Sequence, residues 1–423
     1  GRKKNKMKSY NSALGKLNKN NLFIKNELIS IKETLNRISA SDVFSKNNYP
    51  SSDNTAFDGY AVNSKETITL NNKKYKKFKI IKTLAAGDNP KIKRIPKNSC
   101  IEVMTGAIIK KPFDTVIPIE KIKFYPDKKK PKYILLNQKI KKNEFIRKVG
   151  SDFRKGDKII SKGQYINPSH ILALKTLGIE KIKVKKKLNI VFYPTGDELS
   201  DKKKIPSWKI KNSNTSYLNS YIKNLPVNLE IKKIVRDKQT AFFKKEIQKK
   251  INSNADIIIT SGAISAGKFD FIPNIIKQFK PKDIFKGVSI RPGKPIMFAK
   301  FINNKCFFGL PGNPIATAAC FRFFVMPFIF KSLNIPPEKP ILAKLKGNFS
   351  KKRKFTRFIK GRLSFSKKGN VEFKILKGQE SYKIKPFAKS NSWGVFKDGK
   401  AKFKIGEYIA CYSSSGINEF LIN

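Results

Sequence analysis

The feature that most constrains the fold is an apolar run that stops abruptly at a polar turn. Residues 188–193 read LNIVFY, and a Pro-Thr-Gly-Asp-Glu turn follows over 194–198. A short apolar run bounded by turn residues predicts a fully buried strand. Ligands of open α/β sheets bind outside the carboxyl ends of the strands, so this turn is a candidate site. Taken alone, however, such a turn is more often an ordinary surface turn with solvated acids.

Further strand–turn units follow along the chain and predict a parallel sheet. Helices are expected near 212–225, 240–252 and from about 314 to 330, with strands at 227–235, 255–261 and 305–310. Alternating strands and helices form parallel sheets, whose right-handed crossovers bring the strand ends to one edge. We therefore expect a single cleft at that edge. Its polar side chains would be Glu198, Asp237, Ser265, Asp270 and Asn313.

Length and composition indicate several folded domains in a cytoplasmic protein. The chain has 423 residues, 39% of them hydrophobic and 33 of them Phe, enough for more than one buried core. The longest apolar run, 315–330, is interrupted by Arg322 and Pro327, which favours a buried helix over a membrane span. No secretory signal is recognised, and no membrane partner is expected. Four scattered cysteines and one histidine argue against redox motifs, zinc sites and a Ser-His-Asp triad.

The net charge of +61 would normally suggest nucleic acid as a partner. The lysines, however, are spread through every segment, and the chain is equally rich in Asn, Ile and Phe. We interpret the charge as compositional drift on a soluble enzyme without a specific nucleic-acid partner, with polyanion binding as the alternative. Only 11 of the 91 basic residues are Arg, which indicates positions that need planar, bidentate geometry. We expect such positions to include Arg147, Arg236, Arg291 and Arg357.

Smaller modules are predicted around the α/β domain. Amphipathic helices are expected over 9–17 and 25–44, the second because Leu28, Ile31, Leu35 and Ile38 have helical spacing. Short strands are expected over 73–133, with an exposed hairpin tip at 127–132, and a final all-β module over 341–423. The resulting domains are 1–50 together with 140–185, 51–139, 186–335 and 336–423.

Six segments occur in an order and spacing that resemble the molybdopterin molybdenumtransferase family, which includes the C-terminal enzyme domain of gephyrin. They are 52–62 (SDNTAFDGYAV), 104–107 (MTGA), 195–199 (TGDEL), 261–267 (SGAISAG), 291–295 (RPGKP) and 310–314 (LPGNP). The resemblance extends from about residue 9 to 412. It implies a multidomain α/β plus β fold: a doubly wound molybdopterin-binding-type α/β domain, a small β-rich domain, an N-terminal helical/β domain and a C-terminal β-barrel-like domain, assembled as a homodimer.

The resemblance also implies an activity, the last step of molybdenum cofactor biosynthesis. Adenylated molybdopterin and molybdate bind, the adenylate is cleaved to AMP, and molybdenum enters the dithiolene. Other proteins of the same pathway are conceivable partners. Two alternatives stay open: a molybdopterin adenylyltransferase, and a non-enzymatic polyanion-binding or scaffold protein on the same fold.

Candidate site residues follow from the resemblance and from the chemistry of their side chains. The catalytic candidates are Asp58, Thr105, Glu198, Asp237 and Asp270, with Asp58 and Thr105 supplied across the dimer. The substrate-binding candidates are Thr195, Gly196, Gly262, Ser265, Gly267, Pro311, Gly312 and Asn313. The molybdate candidates are Arg291, Lys294, Pro295, Arg357 and Ser381. Glycines let backbone N–H groups approach phosphate, and the acids Glu198, Asp237 and Asp270 suit Mg²⁺, the expected cofactor.

Two positions depart from the family pattern. Ala263 stands where the family has glycine, which adds a methyl group beside the ligand. Ala316 stands where the family often has serine, which removes a hydroxyl. Thr317 could substitute for that hydroxyl only if the helix were rotated.

Overall fold

The computed structural model describes residues 7–414. Within them the chain forms two compact units, which we call the large unit (7–41, 161–171 and 181–414) and the small unit (42–160 and 172–180). The finer division into four domains stays a prediction.

The described residues form twenty-eight strands and eight helices, not counting short 3₁₀ and π turns. Up to residue 160 they are α1 (Tyr10–Lys19), β1 (Asn26–Ser30), β2 (Val43–Phe44), β3 (Asn54–Thr55), β4 (Gly59–Val62), β5 (Asn71–Leu84), β6 (Ser99–Val103), β7 (Thr115–Pro118), β8 (Lys123–Tyr125), β9 (Tyr133–Gln138), β10 (Ile146–Arg147) and β11 (Lys158–Ile160). They continue with α2 (Pro168–Thr176), β12 (Lys181–Lys185), β13 (Leu188–Pro194), β14 (Leu199–Ser200), β15 (Ile210–Lys211), α3 (Ser213–Ile222), β16 (Val227–Ile231), α4 (Thr240–Ile251), β17 (Ile257–Ser261), α5 (Ile272–Gln278), β18 (Asp283–Lys286), β19 (Ile290–Arg291), β20 (Met297–Lys300) and β21 (Cys306–Leu310). The last are α6 (Pro314–Cys320), α7 (Met326–Ser332), β22 (Ile341–Leu345), β23 (Phe349–Ser350), β24 (Thr356–Phe365), β25 (Val371–Ile375), α8 (Ile384–Lys389), β26 (Ser392–Phe396), β27 (Lys402–Phe403) and β28 (Tyr408–Ser413).

The large unit is built on a six-stranded sheet with strand order β16-β13-β17-β21-β20-β18. Strand β13 is buried on both faces, because Leu188, Ile190 and Phe192 enter one core cluster while Val191 and Tyr193 enter the other. Helices α3, α6 and α7 pack in the first cluster, and α4 and α5 in the second. The predicted doubly wound α/β domain is therefore confirmed. Its first four strands are parallel, but β20 and β18 are antiparallel additions that the sequence analysis did not predict.

The C-terminal part of the large unit is a closed, barrel-like sheet, as expected. Strands β24, β25, β22, β28 and β26 pair in turn, and β26 pairs back onto β24. Strand β19 extends this sheet from the α/β region by pairing in parallel with β24. The expectation of an all-β module was wrong in one respect, since the short helix α8 lies between β25 and β26.

The small unit contains a six-stranded sheet of its own, with strand order β7-β4-β6-β5-β9-β8. Strands β8 and β9 form the predicted hairpin, whose tip lies at 127–132. Hydrophobic clusters cover both faces of the sheet, with Ala61 in one cluster and Tyr60 and Val62 in the other.

The helix expected over 25–44 was wrong. The segment forms β1, which pairs antiparallel with β12, then a short 3₁₀ turn over Ile31–Glu33, and later β2. Of the four apolar residues with helical spacing, Leu28 and Leu35 are 60% and 47% exposed, so they form no buried stripe. Without a face to bury, a helix of this length is marginal, and pairing with β12 satisfies the backbone instead.

The apolar segment Pro314–Ser332 is long and apolar enough to cross a membrane, but 89% of it is buried inside the protein. It consists of α6 and α7, joined by a π-helical turn that contains Arg322. Arg322 is 1% exposed and donates to both carboxylate oxygens of Glu338, at 2.8 and 2.6 Å, and to the Ser413 carbonyl at 2.9 Å. This bidentate arginine was not among the four that the sequence analysis selected.

The buried pair of Arg322 and Glu338 predicts a large stability effect. Glu338→Gln leaves the guanidinium charge without its partner, so the free energy of unfolding should fall by about 3–5 kcal/mol in urea titrations. The double variant Arg322→Met, Glu338→Leu should recover most of that loss, because an apolar replacement removes both charges. Glu180→Gln, which breaks an exposed pair with Lys175, serves as the control and should cost less than about 1 kcal/mol. A loss for Glu338→Gln no larger than the control's would contradict the interpretation.

Candidate active site

The turns after β13, β17 and β21 are tied to one another at the edge of the sheet. The Thr195 amide and hydroxyl both donate to the Ser261 carbonyl, at 3.0 and 2.8 Å. The Gly262 amide donates to the Leu310 carbonyl at 2.9 Å, and the Gly196 amide to the Val235 carbonyl at 3.0 Å. The predicted convergence of strand ends is therefore present, with Thr195 buried at its centre.

Glycine is required where these turns touch. Gly262 has a φ of 98°, and a Cβ there would lie 2.6 Å from the Thr195 carbonyl oxygen. A Cβ on Gly312 would lie 3.1 Å from the Gly262 Cα. Asn214, at the start of α3, donates to the Gly312 carbonyl at 2.9 Å and thereby orients the turn. Two peptide backbones thus meet without side chains between them, which only glycine permits at this distance.

Acidic side chains gather beside these turns, although the chain as a whole is strongly basic. Burial raises the pKa of Asp237, and the nearby charges of Asp197, Glu198 and Asp270 raise it further, against an opposing effect of Arg236. The backbone around them is braced, because Arg236 donates to the carbonyls of Gly196 and Leu199 at 2.9 and 2.8 Å. We call Asp197, Glu198, Asp237 and Asp270 the acidic cluster.

The loop after β17 holds Asp270 in place. Its carboxylate accepts from the Ser265 hydroxyl and from the Gly267 amide, the latter at 2.5 Å. Across residues 7–414, no three His, Cys, Asp or Glu side chains are close enough to form a preformed metal cage. Mg²⁺ commonly binds one or two carboxylates together with substrate phosphates, so the excess negative charge at Asp237 fits that ion.

A cavity of about 740 Å³ lies between the barrel and the edge of the α/β sheet where the strands end. Its lining includes all five molybdate candidates: Arg291, Lys294, Pro295, Arg357 and Ser381. Pro311 and Asn313 also line it, so the turn after β21 belongs both to the cavity and to the strand-end cluster. Among the remaining lining residues are Gln379 and Glu380, which the sequence analysis missed.

The cavity is built to receive a negative charge. Arg291 and Arg357 are direct neighbours in the register of β19 and β24. Burial lowers the pKa of Arg357, and the Arg291 charge lowers it further. The Arg357 Nε and the Asn313 Oδ1 are buried without a hydrogen-bond partner, while the Asn313 Nδ2 donates to the Ser381 hydroxyl at 3.1 Å. Two adjacent guanidinium groups with an unused donor favour an oxyanion ligand.

Comparison with known proteins places the chain in a family. Residues 8–178 match the model of the MoeA N-terminal region (domains I and II), and residues 192–331 match that of the probable molybdopterin-binding domain. The molybdopterin molybdenumtransferase of Haemophilus influenzae is 30% identical over 392 residues, which cover 90% of this chain and 92% of that protein. The chain belongs to the molybdopterin molybdenumtransferase family. The Staphylococcus aureus enzyme of the same name is also 30% identical, over 90% of this chain and 89% of its own.

The crystal structure of the molybdopterin biosynthesis MoeA protein from Pyrococcus horikoshii shares the fold. Its TM-score is 0.79 at 23% identity, and the match covers 96% of this chain and 99% of that chain. The predicted family and the multidomain fold are thus confirmed.

The two departures from the molybdenumtransferase pattern differ in their consequences. Ala263 has a φ of 51°, a conformation that glycine adopts more easily, so its methyl group adds strain to the loop. Ala316 lines the cavity, where a serine would present its hydroxyl. Thr317 cannot replace that hydroxyl, because it is fully buried and donates to the Pro311 carbonyl at 2.5 Å.

Asp58 and Thr105 belong to the small unit, whereas the other candidates of this molybdenumtransferase belong to the large unit. The Asp58 carboxylate accepts from the Thr105 amide and hydroxyl, at 2.7 and 2.8 Å. These bonds lower the pKa of Asp58. The structure therefore joins the two residues to each other, and their role across a dimer stays a prediction.

The four selected arginines have different roles. Arg236 binds backbone carbonyls, Arg147 donates to the Thr55 carbonyl at 3.0 Å, and Arg291 and Arg357 line the cavity. Asn214 could have been suspected from its place in the polar Asn-Ser-Asn start of a helix that follows the acidic turn. Gln379 gave no comparable signal.

The acidic cluster predicts a pH-dependent stability effect. The raised pKa of Asp237 means that its ionisation destabilises the folded state, so Asp237→Asn should raise the Tm at pH 7. The gain should shrink as the pH falls below about 4, where aspartate is neutral in the unfolded chain as well. Added Mg²⁺ should raise the Tm of the wild type more than that of the variant. Thermal melts across pH test this, with Asp152→Asn as a control outside the cluster; equal behaviour of both variants would contradict it.

Proposed function

We propose that this chain inserts molybdenum into adenylated molybdopterin, releasing the molybdenum cofactor and AMP. The observation that carries the proposal is the pair of subsites that share the Pro311-Gly312-Asn313 turn. On one side of the turn lie the glycine contact and the acidic cluster. On the other side lies the cavity lined by Arg291, Arg357 and Ser381.

The acidic side suits the adenylated pterin. A pyrophosphate can approach the backbone closely at Gly312, where no Cβ shields the peptide. The amides of Gly262 and Gly267 already donate within the site, to the Leu310 carbonyl and to the Asp270 carboxylate, so they shape the turns instead. Glu198, Asp237 and Asp270 would hold Mg²⁺, because carboxylates cannot bind phosphate directly but can share a hard cation with it. The bound ion would stabilise the charge that develops when the phosphoanhydride breaks.

The basic side suits molybdate, a tetrahedral dianion. Arg291, Lys294 and Arg357 supply positive charge, and the Ser381 hydroxyl, already held by Asn313, supplies a further polar contact. Because molybdate is a substrate, these residues must release the metal as well as bind it, which hydrogen bonds and ion pairs permit.

The assembly and compartment are part of the proposal. A homodimer would bring Asp58 and Thr105 of one chain to the strand-end site of the other, and the enzyme would work in the cytoplasm with other cofactor-pathway proteins. Light scattering that finds a fully active monomer would overturn the dimer. We propose no specific nucleic-acid partner, because the lysines behind the excess positive charge are spread through every segment of the chain.

Both alternatives are weaker. An adenylyltransferase would leave the cavity between the sheet edge and the barrel without a substrate. A scaffold on a decayed enzyme would have no reason to keep three further acids within electrostatic reach of Asp237 in a chain with a net charge of +61.

Two substitutions separate the subsites. Asp270→Asn keeps the shape of the side chain but removes a charge from the cation site, so AMP release should be abolished at every molybdate concentration. Arg357→Lys keeps the charge but loses the planar fork, so the enzyme should need about 10-fold or more molybdate for the same rate. Titration of molybdate, with AMP measured by chromatography, gives both results.

The matched control is Arg353→Lys, which alters an exposed arginine of the barrel that donates to the Gly399 carbonyl. It should leave the molybdate requirement unchanged. If Arg357→Lys instead lost nucleotide binding and kept its molybdate dependence, the barrel would belong to pterin recognition.

A further inference from the structure

Lys360 is a buried cation whose ammonium group binds backbone carbonyls rather than a carboxylate. It lies on β24, three residues after Arg357, and is 1% exposed. Its Nζ donates to the carbonyls of Glu380 and Lys383, both at 3.1 Å. No ion pair in the described part of the chain includes Lys360. A buried charge is costly, so its retention needs a reason beyond packing.

The backbone of Lys360 is tied to the same loop by a second set of bonds. Its amide donates to the Gln379 Oε1 at 2.9 Å, and the Gln379 Nε2 donates back to its carbonyl at 2.9 Å. Gln379 also donates to the Leu376 carbonyl at 2.6 Å. Main chain and side chain of Lys360 therefore both hold one segment, 376–383, which we call the cavity loop.

The cavity loop carries one wall of the oxyanion cavity. Gly378, Gln379, Glu380 and Ser381 all line it. On the opposite side, Asn313 donates the hydrogen bond that fixes the Ser381 hydroxyl. The distance between Ser381 and the two arginines is thus governed by how the cavity loop is attached to β24, and Lys360 makes that attachment.

We propose that Lys360 is a positioning residue, which holds the cavity loop against the oxyanion site and makes oxyanion affinity depend on pH. The inference rests on the proposed function only in naming molybdate as the ligand. The contact between Lys360 and the cavity loop is independent of that function. It assigns Lys360 no contact with the substrate.

The charge on Lys360 is present at neutral pH and is lost just above it. The pKa of the Lys360 amine is lowered to about 8, mainly by burial. Glu380 opposes this shift, whereas the charges of Lys383 and Arg357 add to it. The other charged or titratable side chains on the elements packed around it are Arg362 on β24, Glu372 and Lys374 on β25, Lys377 and Tyr382 on the cavity loop, and Lys385 and Lys389 on α8. Strand β26 carries none. Raising the pH through 8 therefore removes one positive charge behind the cavity loop.

The test measures molybdate binding and loop mobility separately. Lys360→Met keeps the length and apolar stem of the side chain but removes the ammonium. Calorimetry with molybdate should show binding weakened by about 10-fold or more, the size expected for lost bonds from a charged donor. Hydrogen exchange without molybdate should be faster for amides of the cavity loop. Between pH 7 and 9.5 the wild type should lose affinity in a step that the variant lacks.

Two further variants keep the test sound. Lys185→Met removes another buried lysine, whose Nζ donates to the Ile24 carbonyl, and should change neither readout. If Lys360→Met does not fold, Gln379→Leu cuts the second set of bonds and should also loosen the cavity loop.

Each outcome decides a point. Unchanged molybdate affinity in Lys360→Met would overturn the inference. Weaker binding with unchanged loop exchange would mean that the Lys360 charge acts on the anion without holding the loop, and would also overturn the positioning role. A wild type that binds no molybdate, combined with faster loop exchange in the variant, would reject the molybdate assignment while the loop contact stands.

Discussion

The close approach of the turns after β13, β17 and β21 is the constraint on which the site depends. Thr195 binds the Ser261 carbonyl, and Gly312 abuts Gly262 so closely that neither position tolerates a side chain without displacement. This contact sets the spacing between the acidic cluster and the oxyanion cavity. The sheet beneath it is buried on both faces, so the turns cannot separate without exposing the two cores of the large unit.

Two subsites of opposite charge, the acidic cluster and the oxyanion cavity, lie on either side of that contact. The α/β domain supplies carboxylates at its strand ends, where burial and then the neighbouring acids raise the pKa of Asp237, and the barrel supplies Arg357 beside Arg291. Each arrangement is electrostatically unfavourable without a ligand, because like charges face one another. A cation with a pyrophosphate on one side and an oxyanion on the other would relieve both. The strain is therefore consistent with a site that binds two substrates of different charge.

Sequence patterns predicted the parts of this arrangement that have a local cause. The apolar run before Thr195 indicated a buried strand, and the turns with glycine and acidic residues could be recognised as motifs. Lys360 could not, because a lysine that binds backbone carbonyls leaves no pattern in a chain with so many lysines. Arg322 was missed for the same reason, since its partner Glu338 is remote from any motif. The helix expected over 25–44 failed because spacing alone does not show whether a neighbouring strand, in this case β12, offers better backbone partners.

The most direct test of the account measures both products in one reaction. Purified protein would be incubated with adenylated molybdopterin and Mg²⁺, with and without molybdate, and AMP and active molybdenum cofactor would be quantified in the same sample. If the two subsites act together through the Pro311-Gly312-Asn313 turn, both products should form in equal amounts and both should depend on molybdate. AMP release at saturating molybdate without any active cofactor would contradict the account.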